Sequence, residues 1–300
     1  VASIRIANQL EKPRAVLDLH RTLGALSLNT ILFRILTESV RPLAKQWLSK
    51  AETLARTEYY QDSVEDADGI KETHERVPPI YEAFLFEKLQ LDLPRPGSPR
   101  WMRRRQDSRE IRKKMVAAYL AICREVGADV RYASAEMLLQ MSDKCMRDFL
   151  AQLDQIFLSA RMPLEAFLRR TVPINIQDVA LKRASNEKRN SLIKSGVQAP
   201  IETSKVVEGL ALITRALQSF SVSNRHLHSS ERGLFQIVVK SKLDNNDSEC
   251  LQIIRDAGEA GFLKLGSTDN CTHKFRVHTS LAAAFQFSYS ARLTNCPYAY

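Results

Sequence analysis

The sequence lacks the glycine-rich loop with which many proteins hold the phosphates of a nucleotide. No G-x-x-x-x-G-K-[ST] motif occurs, and the 300 residues include only ten glycines, so no related loop is present elsewhere. An apolar strand that ends in Asp-Glu, which would supply the metal-binding partner of such a loop, is also missing. We therefore expect the chain as given not to hydrolyse nucleotide. ATP and magnesium are expected as cofactors only where a nucleotide-binding core lies outside it.

The sequence also has few cysteines and no long apolar run. Its five cysteines are odd in number and form no C-x-x-C pair, which is typical of free thiols in a reducing compartment such as the cytoplasm. No uninterrupted run of about 18 apolar residues occurs, so no transmembrane helix is expected, and no signal peptide is recognised. Because the chain begins with Val1, we interpret it as a fragment or as a chain whose earlier part is not shown.

What the sequence does have is an excess of positive charge. The formal net charge is +10 and the sequence pI is about 9.4. The 44% of hydrophobic and 26% of charged residues are ordinary for a globular protein. A basic protein associates preferentially with anionic partners. Nucleic acid is the first candidate partner, and an anionic membrane surface is the second.

Proline-rich segments divide the chain. The strongest break is Pro94-Arg95-Pro96-Gly97-Ser98-Pro99, and a further proline stands at position 200. We predict three domains: a helical region of unclear assignment over 1–99, a helical domain over 100–200 and a C-terminal domain over 201–300. Within the first region, apolar residues repeat at helical spacing, and Pro42 predicts a kink or break in that repeat.

Basic residues crowd the segment that follows the proline-rich break. They are Arg100, Arg103, Arg104, Arg105, Arg109, Arg112, Lys113 and Lys114, with Trp101 among them. Clustered guanidinium groups on a mobile segment displace counterions well, so one hypothesis is an arm that contacts the phosphates of DNA. The other is a solvated helix start, in which Asp107 and Glu110 neutralise part of the charge.

Two short amphipathic helices are predicted over residues 132–160, joined at Ser142-Asp143. The second helix has apolar residues at the i, i+3, i+4 and i+7 spacing of a helix packed on one side. Either residue of the joint is predicted to cap its start. Arg147 then falls in its first turn, where a cation opposes the helix macrodipole, so a phosphate or an acidic partner is expected to face it. With the amphipathic helix before them, the pair predicts a three-helix unit over residues 108–160.

The last third of the chain changes from helical to mixed periodicity. A β-like run over 233–239 is followed by a helix over about 248–260 and by two strand-like runs that flank residues 266–270. A helix, a strand, a second helix and a hairpin in this order are the outline of a winged helix. In such a domain one helix enters the major groove of DNA, and the hairpin tracks the backbone or the minor groove.

Cations of this part of the chain, and of the polar helix before it, are predicted to contact DNA. They are Lys182, Arg183 and Arg189 on the polar helix, Arg255 on the later helix, and Lys264, Lys274 and Arg276 on the hairpin. Several acids make the later helix acidic, and these acids would repel phosphate. A winged helix used for protein contact is therefore the alternative.

Two other kinds of site find little support. Cys271, His273, His278 and Cys296 match no familiar zinc-finger spacing, and the two histidines lie on opposite faces of a strand because an odd number of positions separates them. The serines at 229–230 have no Gly-x-Ser-x-Gly context. Neither a metal site nor a hydrolase triad is predicted.

Two parts of the chain resemble one known family. Arg131-Tyr-Ala-Ser-Ala-Glu-Met-Leu-Leu-Gln-Met-Ser-Asp-Lys-Cys-Met-Arg-Asp-Phe-Leu150 resembles the lid subdomain of AAA+ ATPases of the origin-recognition/Cdc type, most closely their bacterial relatives. Ser229-Ser-Glu-Arg-Gly-Leu-Phe235 and Phe275-Arg-Val-His-Thr-Ser-Leu281 are similar to the winged-helix end of the same proteins. The resemblance covers roughly residues 108–290. It implies a lid that closes over nucleotide and a C-terminal domain that grips DNA or a partner.

The resemblance also implies a role for Arg147. In the family, an arginine at this point reaches the nucleotide phosphates from the start of a lid helix. Gly-Asp or Gly-Asn usually precedes that arginine, whereas Asp143-Lys144-Cys145-Met146 stands here. Arg147 is therefore the residue that the resemblance assigns to nucleotide binding.

The predicted fold class is mainly α, with a helical bundle resembling an AAA+ lid followed by an α/β winged-helix domain. The first functional hypothesis is a DNA-associated regulatory portion of an ORC-type protein, which binds duplex DNA through the basic arm and the winged helix. The alternative is a non-enzymatic module, in which lid and winged helix bind a partner protein or further copies of the chain. No membrane partner is predicted, and the bacterial cytoplasm is the expected location.

Overall fold

The computed structural model describes residues 17–24, 27–56, 78–88, 104–194, 197, 199–219, 233–238, 245–266 and 272–289. These residues form two compact units, which are described separately. One contains the described parts of Leu28–Val130, and the other contains those of Val1–Ser27, Arg131–Ser219 and Ser230–Tyr300. This grouping differs from the predicted domain boundaries, because residues 131–200 and the C-terminal sheet lie in the same unit.

The secondary structure is mainly helical. In chain order the α-helices are α1 (Leu19–Leu23), α2 (Leu28–Glu38), α3 (Pro42–Ala55), α4 (Pro79–Lys88), α5 (Arg104–Glu125), α6 (Ala135–Ser142), α7 (Met146–Ala160), α8 (Leu164–Arg169), α9 (Ile174–Ser191), α10 (Pro200–Ser219), α11 (Asn245–Glu259) and α12 (Ala282–Phe285). Short 3-10 helices cover Leu192–Lys194 and Thr279–Leu281, and the strands β1 (Leu234–Val238), β2 (Leu263–Leu265) and β3 (Thr272–Val277) form one sheet. The predicted class, a helical bundle with a small α/β region, is confirmed. Of the helices that the structure describes, none has the length and apolarity needed to cross a membrane.

Helices α2 to α5 build the unit that contains Leu28–Val130. Helix α2 ends before Pro42 and α3 begins at it, which confirms the predicted break, since proline suits the first turn of a helix but not its interior. The rings of Trp47 on α3 and Phe84 on α4 lie 5.1 Å apart in the core. Helix α5 packs on α2 and α4. The predicted three-helix unit over 108–160 is therefore wrong, because the apolar stripe of α5 is buried in this unit.

The end of α5 depends on a glycine. The chain leaves the helix through Gly127, which has a φ of +61°, a left-handed conformation that favours glycine. A Cβ atom at this position would also lie 1.7 Å from Nη1 of Arg41. Any other residue would be strained at this φ and would displace the end of the flexible Arg41 side chain.

In the other unit, the side chain of Gln177 on α9 connects three segments of the chain. Its Nε2 donates to the backbone oxygens of Leu23 at 3.0 Å and Val172 at 2.6 Å. Its Oε1 accepts from the backbone N of Ser134 at 2.9 Å, and Ser134 caps α6 by accepting from the backbone N of Met137. Because both polar atoms of this buried side chain are hydrogen-bonded, Gln177 ties the end of α1, the start of α6 and the segment before α9 together.

The sheet is antiparallel, with β3 as its central strand between β1 and β2. The Cα atom of Phe275 on β3 lies opposite Phe235 on β1 and Leu265 on β2. The rings of Phe235 and Phe275 stack with their centroids 5.8 Å apart. Helix α11, which connects β1 to β2, packs on β2 and on α10. The strand, helix and two further strands predicted for the C-terminal part are all present.

Candidate functional site

One face of the sheet carries cations rather than apolar side chains. Successive residues of a strand point to opposite faces, so Lys274 and Arg276 lie on the face of β3 opposite to Phe275. In the antiparallel register, Lys264 of β2 stands directly across from Arg276. Like charges in directly opposite cross-strand positions repel each other. This pair therefore requires an anion beside it.

Asp143, at the end of α6, is that anion. Its Oδ2 accepts a hydrogen bond from Nη2 of Arg276 at 2.6 Å and forms an ion pair with Nζ of Lys264 at 2.9 Å. Nζ of Lys264 donates its hydrogen bond to the backbone oxygen of Asp143 at 3.4 Å. Only 6% of the Arg276 side chain is exposed. Burial lowers the pKa of Arg276, and the charge of Asp143 and its hydrogen bond oppose this shift. Nε and Nη1 of Arg276 are buried and have no hydrogen-bond partner among the described residues, so Asp143 satisfies the guanidinium only in part.

The turn that presents Asp143 has an unusual backbone. Asp143 has a φ of +49° and Lys144 a φ of +64°, in a region that aspartate occupies more readily than lysine and that both occupy rarely. The N-cap of α7 is Cys145, which makes no side-chain capping bond. The prediction that Ser142 or Asp143 caps α7 is therefore wrong. Asp143 is instead the C-cap of α6, and its side chain is bonded to the sheet.

Neutral hydrogen bonds fasten the same turn to the segment after β3. The hydroxyl of Thr279 lies 3.0 Å from the backbone oxygen of Met141 and 3.3 Å from that of Gln140. Thr279 is fully buried. The last turn of α6 is thus held over the sheet by a contact that carries no charge.

Arg147 lies in the first turn of α7, as predicted. Its Nη2 donates to the backbone oxygen of Ala260 at 3.1 Å, just beyond the end of α11, where the helix macrodipole is negative. A cation that is unfavourable at the start of its own helix is favourable at the end of another. Gly261 follows with a φ of +80°, and a Cβ atom there would lie 2.5 Å from Nη2 of Arg147. The guanidinium therefore sits against a position that only glycine leaves open.

A second carboxylate, Asp148, lies one residue further along α7. It is buried and is bonded to Nζ of Lys188 on α9. Burial lowers the pKa of Lys188, and Asp148 opposes that shift. Nδ1 of His278 lies 3.3 Å from Asp148 but accepts the backbone N–H of Ser280 at 3.3 Å. Burial, together with Lys188 and the neighbouring arginines and lysine, lowers the pKa of His278 to about 2, so this histidine is neutral and forms no ion pair with Asp148.

We call this group of side chains the charged junction. It consists of Asp143, Arg147, Asp148, Lys188, Lys264, Arg276 and His278. Two carboxylates face four cations, so the junction keeps an excess of positive charge that suits an anionic ligand. It brings together three of the predicted site residues, namely Arg147, Lys264 and Arg276. It contains no arrangement of a nucleophile beside a base.

The predicted DNA-binding cations of α9 are paired with carboxylates. Nζ of Lys182 lies 2.8 Å from Asp178. Arg183 and Arg189 are paired as well, with Glu187 at 3.0 Å and with Glu208 at 2.8 Å. These pairs reduce the charge that α9 offers to an outside partner.

The remaining predicted DNA contacts on described residues are Arg255 and Lys274. Arg255 is exposed on α11 and forms no ion pair with any residue that the structure describes. Lys274 is buried on the central strand. Its side chain is therefore not offered to solvent, and its contact with DNA stays a prediction.

The basic arm is described only in part. Arg100 and Arg103 lie outside the described residues. Arg104, Arg105, Arg109 and Lys113 belong to α5, and their side chains lie outside the described part as well. The arm as a phosphate contact stays a prediction.

The metal-ligating and thiol residues can be placed in part. Within the described ranges, no group of three or more His, Cys, Asp or Glu side chains is arranged to hold a metal ion. Cys271 and Cys296 lie outside those ranges. Cys123, Cys145 and Cys250 are free thiols, as predicted.

Four members of the charged junction were not predicted from the sequence, namely Asp143 as a partner of the sheet, Asp148, Lys188 and His278. One signal was available. The segment Lys274-Phe-Arg-Val-His278 places charged or polar residues at every second position of a strand, which indicates a face with polar partners. The identity of those partners lies far away in the chain and has no local signal.

One of the comparisons with known proteins identifies a family. A family model described as ORC-CDC6-like matches residues 20–293, which is most of the chain. No curated protein and no solved structure gives a significant match. The match extends across both compact units.

Proposed function

Since the chain belongs to the ORC-CDC6-like family, we propose that it is a DNA-associated regulatory portion of an ORC-type protein. In this proposal α6 to α9 form an AAA+ lid, and α10 together with residues 233–289 forms a winged helix that binds duplex DNA. The proposed setting is the bacterial cytoplasm.

The observation that carries the proposal is the placement of α11. This helix follows β1 and precedes β2 and β3, as the groove-binding helix of a winged helix does. Its buried residues are Leu251, Ile254 and Ala257. Gln252 and Arg255 are exposed, and both side chains can donate hydrogen bonds to base edges or phosphates.

Other cations have different parts in this proposal. Lys264 and Arg276 are bonded to Asp143 and Lys274 is buried, so the hairpin does not make the first contact with DNA. Arg255 and the basic arm over residues 100–114 make it. The net charge of +10 supplies the long-range attraction to duplex.

The proposal contains no nucleotide step. Arg147 is the residue that the resemblance assigns to nucleotide phosphates, and here it is bonded to the backbone of Ala260. Because the sequence has no phosphate-binding loop, the residues present do not make up a nucleotide site. The proposed binding of DNA includes no step through ATP or magnesium, which are expected only where a nucleotide-binding core lies outside the chain as given.

Duplex binding measured at graded salt concentrations tests the proposal. Affinity should fall steeply as salt rises, since phosphate contacts release counterions. Arg255→Ala should weaken binding about 10-fold. The matched control is Arg169→Ala, an exposed arginine at the end of α8, which should weaken it by about two-fold or less. Binding that is absent at low salt, flat with salt, or equally sensitive to both substitutions contradicts the proposal.

A second candidate function is a protein-interaction module. Helix α10 exposes Leu212, Ile213 and Leu217, each by at least 42%, and exposed acids on α11, Glu249 and Glu259, would repel phosphate. Sedimentation across a range of protein concentrations separates the two functions. Self-assembly that Leu212→Ser abolishes favours this candidate, whereas a strict monomer that binds duplex counts against it.

A further inference from the structure

Lys264 and Arg276 form a cross-strand pair of hydrogen-bond donors. A carboxylate of the protein itself, that of Asp143, occupies the position beside them. A single oxygen atom, Oδ2 of Asp143, accepts a hydrogen bond from Arg276 and forms an ion pair with Lys264. A DNA phosphate carries the same charge of −1 and presents two non-bridging oxygens to such donors, and arginine binds it in two-pronged fashion. Because two nitrogens of Arg276 have no partner in the described part of the chain, a phosphate would satisfy donors that Asp143 leaves unbonded.

The turn that holds Asp143 in place is also a weak point of the unit. Two successive residues without a glycine, Asp143 and Lys144, occupy the left-handed region, and such backbone strain persists only where surrounding contacts enforce it. Four contacts hold this turn and the start of α7 in place. They are the two ion pairs of Asp143, the hydrogen bond from the hydroxyl of Thr279 and the hydrogen bond from Arg147 to Ala260. The last of these involves a side chain that is 67% exposed.

We propose that Asp143 masks Lys264 and Arg276 from DNA, and that a phosphate of the duplex displaces it. This inference rests on the proposed function, and it adds a regulated step to it. In the masked form Arg255 and the basic arm make the contact with DNA. When the α6–α7 turn moves away, the hairpin adds two cations to the contact.

The movement of the α6–α7 turn and the binding of duplex DNA are then linked equilibria. DNA binds the unmasked form more tightly, so any change that loosens the turn raises the apparent affinity for duplex. By the same linkage, bound duplex loosens the turn.

The cleanest test changes no charge. Thr279→Val removes the hydroxyl that is bonded to the end of α6 and keeps the shape of the side chain. Loss of this neutral bond should raise the unmasked fraction and tighten duplex binding about five-fold. An isosteric change that leaves the net charge alone would have no effect on a surface that binds DNA by charge only.

A second set of variants tests the ion pairs. Asp143→Asn should tighten duplex binding about 20-fold, since asparagine tolerates the left-handed conformation but does not neutralise the two cations. Asp154→Asn, which removes the same charge from α7 at a site without an ion pair among the described residues, should tighten it by about two-fold or less. In a protein that also carries Lys264→Met and Arg276→Met, Asp143→Asn should lose its advantage over Asp154→Asn.

Hydrogen exchange gives a readout that does not depend on DNA. The amide of Cys145 donates to the backbone oxygen of Ser142 in the turn, and the amide of His278 donates to that of Phe262, just beyond the paired residues of β2 and β3. Thr279→Val should speed exchange at Cys145 and leave His278 protected. This comparison also shows that the variant is folded.

Each result decides one of the two claims. Faster exchange at Cys145 with unchanged duplex affinity overturns the masking, while salt-dependent binding by the unaltered protein upholds the proposed function. Unchanged exchange and unchanged affinity in Thr279→Val and Asp143→Asn overturn the masking as well, because the turn is then not held by these contacts. Failure of every variant to bind duplex at low salt sinks the proposed function, and the masking with it.

Discussion

Two cations of α9, Arg183 and Lys188, form ion pairs that differ in how much water reaches them. Arg183 pairs with Glu187 at 3.0 Å, and 65% of the arginine side chain is exposed. Lys188 pairs with Asp148, and only 12% and 6% of the two side chains are exposed. Water and salt screen the first pair, whereas removal of one partner from the second leaves a charge in the protein interior. The exposed pair therefore acts only within α9, whereas the buried pair holds α7 and α9 together.

The comparison also separates the predicted DNA contacts into two groups. Exposed pairs such as Arg183–Glu187 can exchange a carboxylate for a phosphate at little cost. Buried cations such as Arg276 are available to DNA only if the structure around them opens. Which group a cation belongs to follows from burial, and burial is a property of the tertiary structure.

The largest change in the free energy of unfolding is expected when the buried pair of Asp148 and Lys188 is broken. Asp148→Ala should lower the free energy of unfolding by about 3–5 kcal/mol, because Lys188 is left without its counter-charge in a buried site. Urea-induced unfolding measures this loss, and the control is Asp154→Ala, which changes a half-buried aspartate of α7 that forms no ion pair among the described residues. Joint replacement of Asp148 by Leu and Lys188 by Met should restore much of the stability. A loss no larger than that of the control would show that the pair is solvated.

A smaller change in the free energy of unfolding is expected from buried His278 as the pH falls. Burial first, and the neighbouring cations second, lower the pKa of His278 from its ordinary value of 6.5 to about 2. Between these values the unfolded chain binds one proton more than the folded chain, so the free energy of unfolding should fall by about 1 kcal/mol for each pH unit below 6.5.

His278→Asn isolates this contribution, because asparagine can accept the Ser280 N–H as Nδ1 of His278 does. The variant should show a shallower decline than the unaltered protein between about pH 6.5 and 4.5. Other carboxylates titrate in both proteins, so the difference between the two curves is the quantity of interest. Parallel curves would mean that His278 takes up a proton in the folded protein.

The smallest effect is expected for the exposed pair. Arg183→Ala should change the free energy of unfolding by less than about 0.5 kcal/mol, because an exposed pair on one helix face contributes little. Thermal melts at low and at high salt measure it, and any difference from the unaltered protein should shrink as salt rises. A loss comparable to that of Asp148→Ala would remove the distinction between the two pairs.

Local patterns predicted the elements of this protein well. The break at Pro42, the position of Arg147 in the first turn of α7 and the strands around Phe275 follow from backbone chemistry and from the spacing of apolar residues. Such features depend on neighbours within a few positions, so a single sequence contains the information.

The partners across the molecule were a different matter. Asp143 was predicted to cap α7, because a short acidic side chain between two helices usually does so. Its left-handed backbone instead leaves it bonded to Arg276, 133 positions away. Helix α5 was likewise predicted to pack with the two helices that follow it, and it packs on α2 and α4.

By itself, the sequence determined the mainly helical class, the excess of positive charge and the family resemblance, since each depends on composition or on local order. Only the tertiary structure decided which cations are offered to solvent. Alternation along β3 places Arg276 and Phe275 on opposite faces, but an uncovered face and a covered one have the same alternation. The turn after α6 covers the charged face, and Asp143 then takes the place that a phosphate would fill.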